Sequence, residues 1–259
     1  MEMKTRRIAL IAALSVVSLP APSPIAAAPK EPNITGVWDN YTKQFTNNDF
    51  FGEYVVPNGG PKLREPYASQ WKALRAERDA KLKAGTPLVD PSTLCIPEGM
   101  PMIMHASFPL QILQTPGQVT VLAEFLSQTR RIYLNRPMLA ADDNAPSYYG
   151  FSIGHWAGDT LVVTTKGVGE DVKYFDIPHS SEMTITERIR LTGPDLLEDQ
   201  ITMDDPKMLL EPYKFTYGYK RKNDYRIMEY YCDRENSLVN VGQDGTVSMK
   251  VTQDKGDSQ

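Results

Sequence analysis

The stretch Tyr149-Gly150-Phe151-Ser152-Ile153-Gly154-His155-Trp156-Ala157-Gly158-Asp159-Thr160-Leu161-Val162-Val163 decides the fold class. Two apolar runs flank an Ala157-Gly158-Asp159 turn, the pattern of a β-hairpin that presents a histidine and a tryptophan. Runs of the same kind recur on both sides, so that strands are expected near residues 110–114, 118–126, 129–134, 149–155, 160–166, 183–191, 196–203, 213–220 and 225–232. Turn-forming stretches such as Thr115-Pro116-Gly117, Thr192-Gly193-Pro194-Asp195 and Lys222-Asn223-Asp224 separate them. Successive strands with short links predict a mainly β fold, an antiparallel meander closing into a barrel or a strongly curved sheet. Ile34-Thr35-Gly36-Val37-Trp38 fits a first barrel strand that packs its tryptophan across the barrel floor.

One helical period stands out, from Pro66 to Lys83, where Tyr67, Trp71, Leu74 and Leu82 lie mostly on one side. Pro66 suits its start and Gly85 its stop. Such a helix would pack outside the barrel or across one end. Pro57-Asn58-Gly59-Gly60-Pro61 is a break before it, and the proline-rich residues 86–109, with Met100, Met102, Met104 and His105, read as extended and irregular. Residues 29–236 are expected to form a single domain, and the polar residues 237–259 a frayed tail.

Lys4, Arg6 and Arg7, the apolar run from Ile8 to Leu19 and the small residues up to Ala28 follow the plan of an export signal over residues 1–28. The apolar run is too short for a permanent span, so no stable membrane insertion is expected and the mature protein is placed in the periplasm or outside the cell. Thr5-Arg6-Arg7 matches a twin-arginine signal only in part, and ordinary unfolded export is the simpler route. The chain has 28 basic and 32 acidic residues, and the leader removes three of the former against Glu2 alone. The acidic remainder excludes a nucleic-acid backbone or an anionic membrane as partner. A homodimer stays open. Cys95 and Cys232 are the two cysteines, and an oxidising compartment favours a disulfide between them, with two buried free thiols as the alternative.

Period-two alternation assigns each side chain to a strand face. In 183–191, Glu187 shares its face with Met183, Ile185, Ile189 and Leu191. Glu229 lines up with Tyr225, Ile227 and Tyr231, and Glu124 stands beside Leu122 and Leu126. An inward carboxylate is costly unless it meets a cation. Arg131 with Tyr133, or Arg130 with Ile132, supplies one on a neighbouring strand, either as a register-fixing ion pair or as part of a ligand-facing network. The stripe Tyr213, Phe215, Tyr217 and Tyr219 is a packed face or the wall of a pocket for a flat, apolar molecule.

The histidines are His105, His155 and His179. His179, in the loop Ile177-Pro178-His179-Ser180-Ser181, is placed where a barrel mouth presents reactive groups, and a histidine beside Glu or Tyr can move protons near neutral pH. A hydrogen-bonded structural imidazole is the plain alternative for each. No two histidines have ligand-converging spacing, so no metal is expected. Ser152 or Ser180 with His179 and Asp159 could be assembled into a hydrolase triad, but no strained, glycine-flanked serine supports one.

Several stretches together resemble a large family of exported bacterial proteins: Cys95 to Pro101, Arg130 to Tyr133, Gly154 to Val163, Pro178 to Ser180, Glu187 to Arg190, Asp205-Pro206 and Glu229 to Cys232, with Gly36-Val37-Trp38 as a looser echo. The resemblance covers roughly residues 90–236. It implies a lipocalin-like β-barrel and a link to the breakdown of plant-derived aromatic compounds, and it carries no settled activity. This chain has Phe151 where the family pattern has His, and Thr164 where it has Asp, so an activity relying on either does not transfer.

The expectation is therefore a cofactor-independent acid–base enzyme of lyase, dehydratase or isomerase type acting on a small aromatic or lipophilic molecule, with a lipocalin-like carrier as the alternative. His179 is the expected acid or base, Glu187 its orienter or second acid–base group, Arg131 and Tyr133 the donors to a developing oxyanion, and His155 a further catalytic candidate. Phe151, Glu229, Glu124, His105 and Tyr217 are the expected ligand-binding residues.

Overall fold

Nine strands whose side chains alternate between interior and surface close on themselves in a computed structural model that describes residues 31–42, 55–105, 108–232 and 239–249. They are β1 Gly36–Asn40, β2 Leu110–Thr115, β3 Gln118–Ala123, β4 Gln128–Leu134, β5 Phe151–Ala157, β6 Thr160–Lys166, β7 Thr184–Gly193, β8 Leu196–Asp204 and β9 Tyr213–Arg221. β1 pairs with β2 on one side and with β9 on the other, which completes the barrel. The barrel expected from the turn spacing is therefore present, and the segment expected to be an export leader, residues 1–28, lies outside the described residues.

The hairpin of β5 and β6 forms as read, with Ala157 opposite Thr160 and Gly158 at φ +66° in its two-residue turn. β4 and β5 depart from the expected meander, because they pair in parallel, with Ile132 opposite Ser152 and Leu134 opposite Gly154. A parallel neighbour needs a return connection, and the long link between Leu134 and Phe151, broken by Pro137 and Pro146, supplies it. The strand expected over 225–232 does not form. With β9 already paired to β1, no free edge remains for it, and the segment runs outside the barrel as an irregular strap.

Apolar residues of every barrel strand except β5, whose buried positions are Ser152 and Gly154, meet inside: Trp38, Leu110, Ile112, Val121, Ile132, Leu161, Ile185, Ile201 and Tyr219 are buried. Trp38 lies against Arg221 of β9, whose guanidinium carbon is 4.1 Å from the ring centroid. The aromatic stripe of β9 is a packed face: Phe215 stacks on Tyr174 with centroids 4.9 Å apart. Each such pair adds about 0.5–1.5 kcal/mol beyond area burial.

Helix α1, Tyr67–Lys83, packs outside the strands, as its period predicts. Tyr67, Ala68 and Trp71 contact the core, and Trp71 Nε1 donates to the Phe175 carbonyl at 3.0 Å. A four-residue helix, α2 Met102–His105, precedes β2 and buries Ile103, Met104 and His105. Cys95 and Cys232 are joined in a disulfide across 137 residues of chain. The polar tail is not wholly frayed, since β10 Val239–Val241 and β11 Val247–Met249 form a small hairpin. It docks on the proline-rich segment through Val89 N–H to Gly245 O at 2.8 Å and Val247 N–H to Pro87 O at 2.7 Å.

Candidate functional site

Ionisable groups gather in two places, one sealed inside the barrel and one in a cleft beside it. The sealed group is built by β4, β5, β6, β7 and β8. Arg130 and Glu187, both 0% exposed at their side chains, form a two-pronged pair in which Nη1 donates to Oε1 at 2.7 Å and Nη2 to Oε2. Nη2 also donates to Ser152 Oγ at 3.2 Å and to Thr165 Oγ1 at 3.1 Å, and the two hydroxyls are 2.8 Å apart. Asp199 completes the group from β8. Both of its oxygens are shut off from solvent with no N–H or O–H of the described residues donating to them. Burial holds its carboxyl well above the ordinary carboxylate range, and the neighbouring Glu187 carboxylate raises it further while Arg130 opposes. One cation thus faces two carboxyls in a dry interior, an arrangement that favours the uncharged form of Asp199.

This placement corrects several expectations. Of the two arginines, Arg130 faces inward and Arg131 is exposed. Tyr133 lies on the outer face, stacked on Phe151 with centroids 5.2 Å apart, so neither residue lines the interior. His155 is exposed opposite Val162, and Glu229 is exposed on the strap rather than inward on a strand. Glu124 is buried but occupied: it accepts from Tyr225 O–H at 2.9 Å and Met228 N–H at 3.1 Å, which ties the strap to the barrel. His179 is a strut, its Nε2 2.8 Å from Val172 O and its Nδ1 3.2 Å from Ser180 O. Ser180 in turn donates from N–H and O–H to Asp205 at 2.6 and 2.9 Å, so the Pro-His-Ser loop and the Asp-Pro turn lock each other. His105 is packed edge-on between Phe175 and Tyr217. Tyr217 does point inward, hydroxyl to hydroxyl with Tyr174, and burial pushes its phenol well up. Glu187 sits in the core pair, where no face of it is open to a substrate.

The second gathering is a cleft of about 460 Å³ walled by α1, by the segment from Pro87 to Glu98 and by the β6–β7 connection from Asp171 to Asp176. Arg75, Arg78, Asp79 and Leu82 reach it from α1 at helical spacing, one face of the helix. Leu88, Ile96, Met102, Val172 and Phe175 give it apolar surface, a volume and lining suited to a small organic molecule. Phe175 and Asp176 both have left-handed backbone, at φ 52° and 60°. That strain, about 1–3 kcal/mol per residue, is held by Trp71 on the Phe175 carbonyl and by Arg78, which donates to Asp176 Oδ1 at 2.8 Å.

Glu98 is the residue of this cleft that sequence reading missed. Its N–H donates to Gln128 Oε1 at 3.0 Å, and the Gln128 amide reaches its Oε2 at 3.5 Å. Burial pushes the Glu98 carboxyl up to about 8, Asp90 adds to the rise, and the Gln128 hydrogen bond opposes it. Tyr149, whose hydroxyl donates to the same Gln128 oxygen at 3.3 Å, is pushed up to about 12, by burial first and by Glu98 next. Lys173 is lowered by burial against the pull of Asp171, Glu170 and Asp176. A protonated carboxyl and several cations therefore share one small-molecule cleft near neutral pH.

Gly99 makes the wall possible. At φ +68° its missing side chain leaves room for the Tyr148 carbonyl and for Val172 Cγ1, which an added Cβ would approach to 2.6 Å. Gly99→Ala is expected to cost more than the left-handed penalty of about 1–2 kcal/mol. Gly117→Ala, at φ +77° with open space around it, should cost only that penalty. Thermal unfolding of the two variants side by side checks the difference.

No family model, no curated protein and no solved structure matches this chain.

Proposed function

We propose that this chain is an exported, cofactor-independent enzyme that performs acid–base chemistry of lyase, dehydratase or isomerase type on a small aromatic or lipophilic molecule in the cleft, with Glu98 as proton donor. The observation that carries this reading is Glu98 itself, a carboxyl that keeps its proton at neutral pH on the wall of a cavity of small-molecule size. Arg75 and Arg78, two guanidiniums that share the single Asp176 carboxylate, are the groups on the helix wall that would donate to negative charge developing on substrate oxygen. Export is supported by the Cys95–Cys232 disulfide and by the likeness to a family of exported bacterial proteins. A carrier holding its ligand inside the barrel has less support, because Trp38, Arg130, Ile132 and Tyr219 fill that interior.

The test is incubation with a panel of phenolic dimers and terpenoid-like compounds, followed by mass analysis of free and bound species. For a compound that is converted, Glu98→Gln is expected to lower kcat by about 10²–10⁴-fold while binding persists. The wild-type rate should fall as pH rises through about 8, where Glu98 loses its proton. Full turnover by the Gln variant, or a rate that holds steady through that range, overturns the assignment. A compound that is bound and recovered unchanged identifies a binding protein instead.

A further inference from the structure

We infer that the cleft receives a molecule with one cationic nitrogen, such as a protonated primary amine, carried on an apolar body; the inference rests on the cleft being the functional site. The charges on its walls are unequal. Arg78 donates to Asp176 at 2.8 Å and Arg75 lies 3.6 Å from the same carboxylate, so both arginines of α1 converge on one acid. Asp79 follows Arg78 on the same helix face, and its Oδ1 is closed off from solvent with no hydrogen-bond partner among the described residues. Asp90 and Asp171 also line the cleft, and no cation of the described residues stands within ion-pair distance of either. Lys173 is set against these acids, and burial disfavours its charge. Even with Glu98 neutral, the four aspartates outnumber the three cations of the lining.

The sealed oxygen leaves the Asp79 carboxylate short of donors, and a ligand N–H that meets this carboxylate from the cleft offsets that cost. The acid excess favours a donor that carries positive charge. A bare metal ion fits less well: among the described residues no three His, Cys, Asp or Glu side chains converge to hold one. Leu82, Ile96, Met102 and Phe175 offer the remainder of the ligand an apolar surface instead.

The test uses the purified full chain, disulfide intact, and three probes of one shape: phenethylammonium, neutral 2-phenylethanol and anionic 3-phenylpropanoate. Calorimetry and chemical-shift mapping should show the amine binding at least about tenfold more tightly than the alcohol, with the carboxylate weakest. A tenfold difference corresponds to about 1.4 kcal/mol. Asp79→Asn should weaken amine binding by about fivefold or more, whereas Glu77→Gln, an equal change of charge at an exposed position outside the cleft, should not. Asp171→Asn serves as the second variant if the first unfolds. Equal or tighter binding of the carboxylate, no binding of the amine, or an unchanged affinity in both Asn variants overturns the inference. Alcohol or carboxylate seated in the cleft as tightly as the amine, or more tightly, would discard the cationic ligand and leave the proposed site standing. The acid–base reading is decided separately by the turnover of Glu98→Gln.

Discussion

Arg130→Met is expected to destabilise the barrel by about 3–5 kcal/mol, the cost of leaving a buried carboxylate without its cation. Glu187 would be left without a donor of comparable strength, because Ser152 and Thr165 are hydrogen-bonded to each other. Replacing the whole group, Arg130→Met with Glu187→Met and Asp199→Leu, should recover most of the loss, since a dry interior is served as well by apolar volume as by an ion pair. Urea unfolding of the single and triple variants measures both effects. A single variant within about 0.5 kcal/mol of wild type would contradict the burial on which the pair is read.

The same group sets a sign for pH dependence. Asp199 is raised in the folded state, so the folded chain holds a proton that the unfolded chain releases above the ordinary carboxylate range of about 4. Its contribution to stability is complete below that range and declines as pH rises toward the folded value. Glu98, raised to about 8, acts in the same direction over the interval from its ordinary value of 4.5 to about 8. Asp199→Asn, which cannot titrate, removes the first contribution and should flatten the decline. The slope that remains then belongs to groups such as Glu98.

How much of this was legible in the sequence depends on whether periodicity reached the residue. Glu187 was placed on the inner face correctly, because Ile185 and Ile189 flank it in β7 and leave only one assignment of faces. Asp199 follows the same logic, since it shares its face of β8 with Leu197, Ile201 and Met203. Arg130-Arg131 carried two answers. Tyr133 made the outer parity look inward, and only Ile132 with Leu134 on the other parity settles it. The failed strand over 225–232 has the alternation of a strand but no edge to join, which is a property of closure and not of the segment. Glu98 lies where no period operates. Its raised carboxyl comes first from burial and next from Asp90 across a proline-rich bend, with Gln128, thirty residues on, opposing, surroundings that only tertiary structure creates.

The disulfide ties that non-periodic wall to the strap that runs outside the barrel. Removing it by Cys95→Ser with Cys232→Ser is expected to lower stability by about 2–5 kcal/mol, as a cross-link over a long loop does. The loss should not be uniform. The segment from Pro87 to Glu98 is attached to the C-terminal chain at two places, at Cys95 by the disulfide and at Pro87 and Val89 by the β10–β11 hairpin. Glu98 lies three positions beyond the first of these. The barrel strands keep their ladder hydrogen bonds whether or not the bond is present, so the wall should open at a lower free energy than the barrel. Hydrogen exchange is then expected to show faster exchange at the Cys95, Ile96 and Met100 amides of the Ser variant, with β6, β7 and β8 still protected. Water entering beside Glu98 would bring its pKa down from about 8 toward the ordinary carboxylate value. Any turnover that depends on the protonated carboxyl should then lose its alkaline limb near 8 and weaken already at neutral pH. A Ser variant with wild-type exchange along the wall and an unshifted alkaline limb would show that the cleft holds its shape without the cross-link.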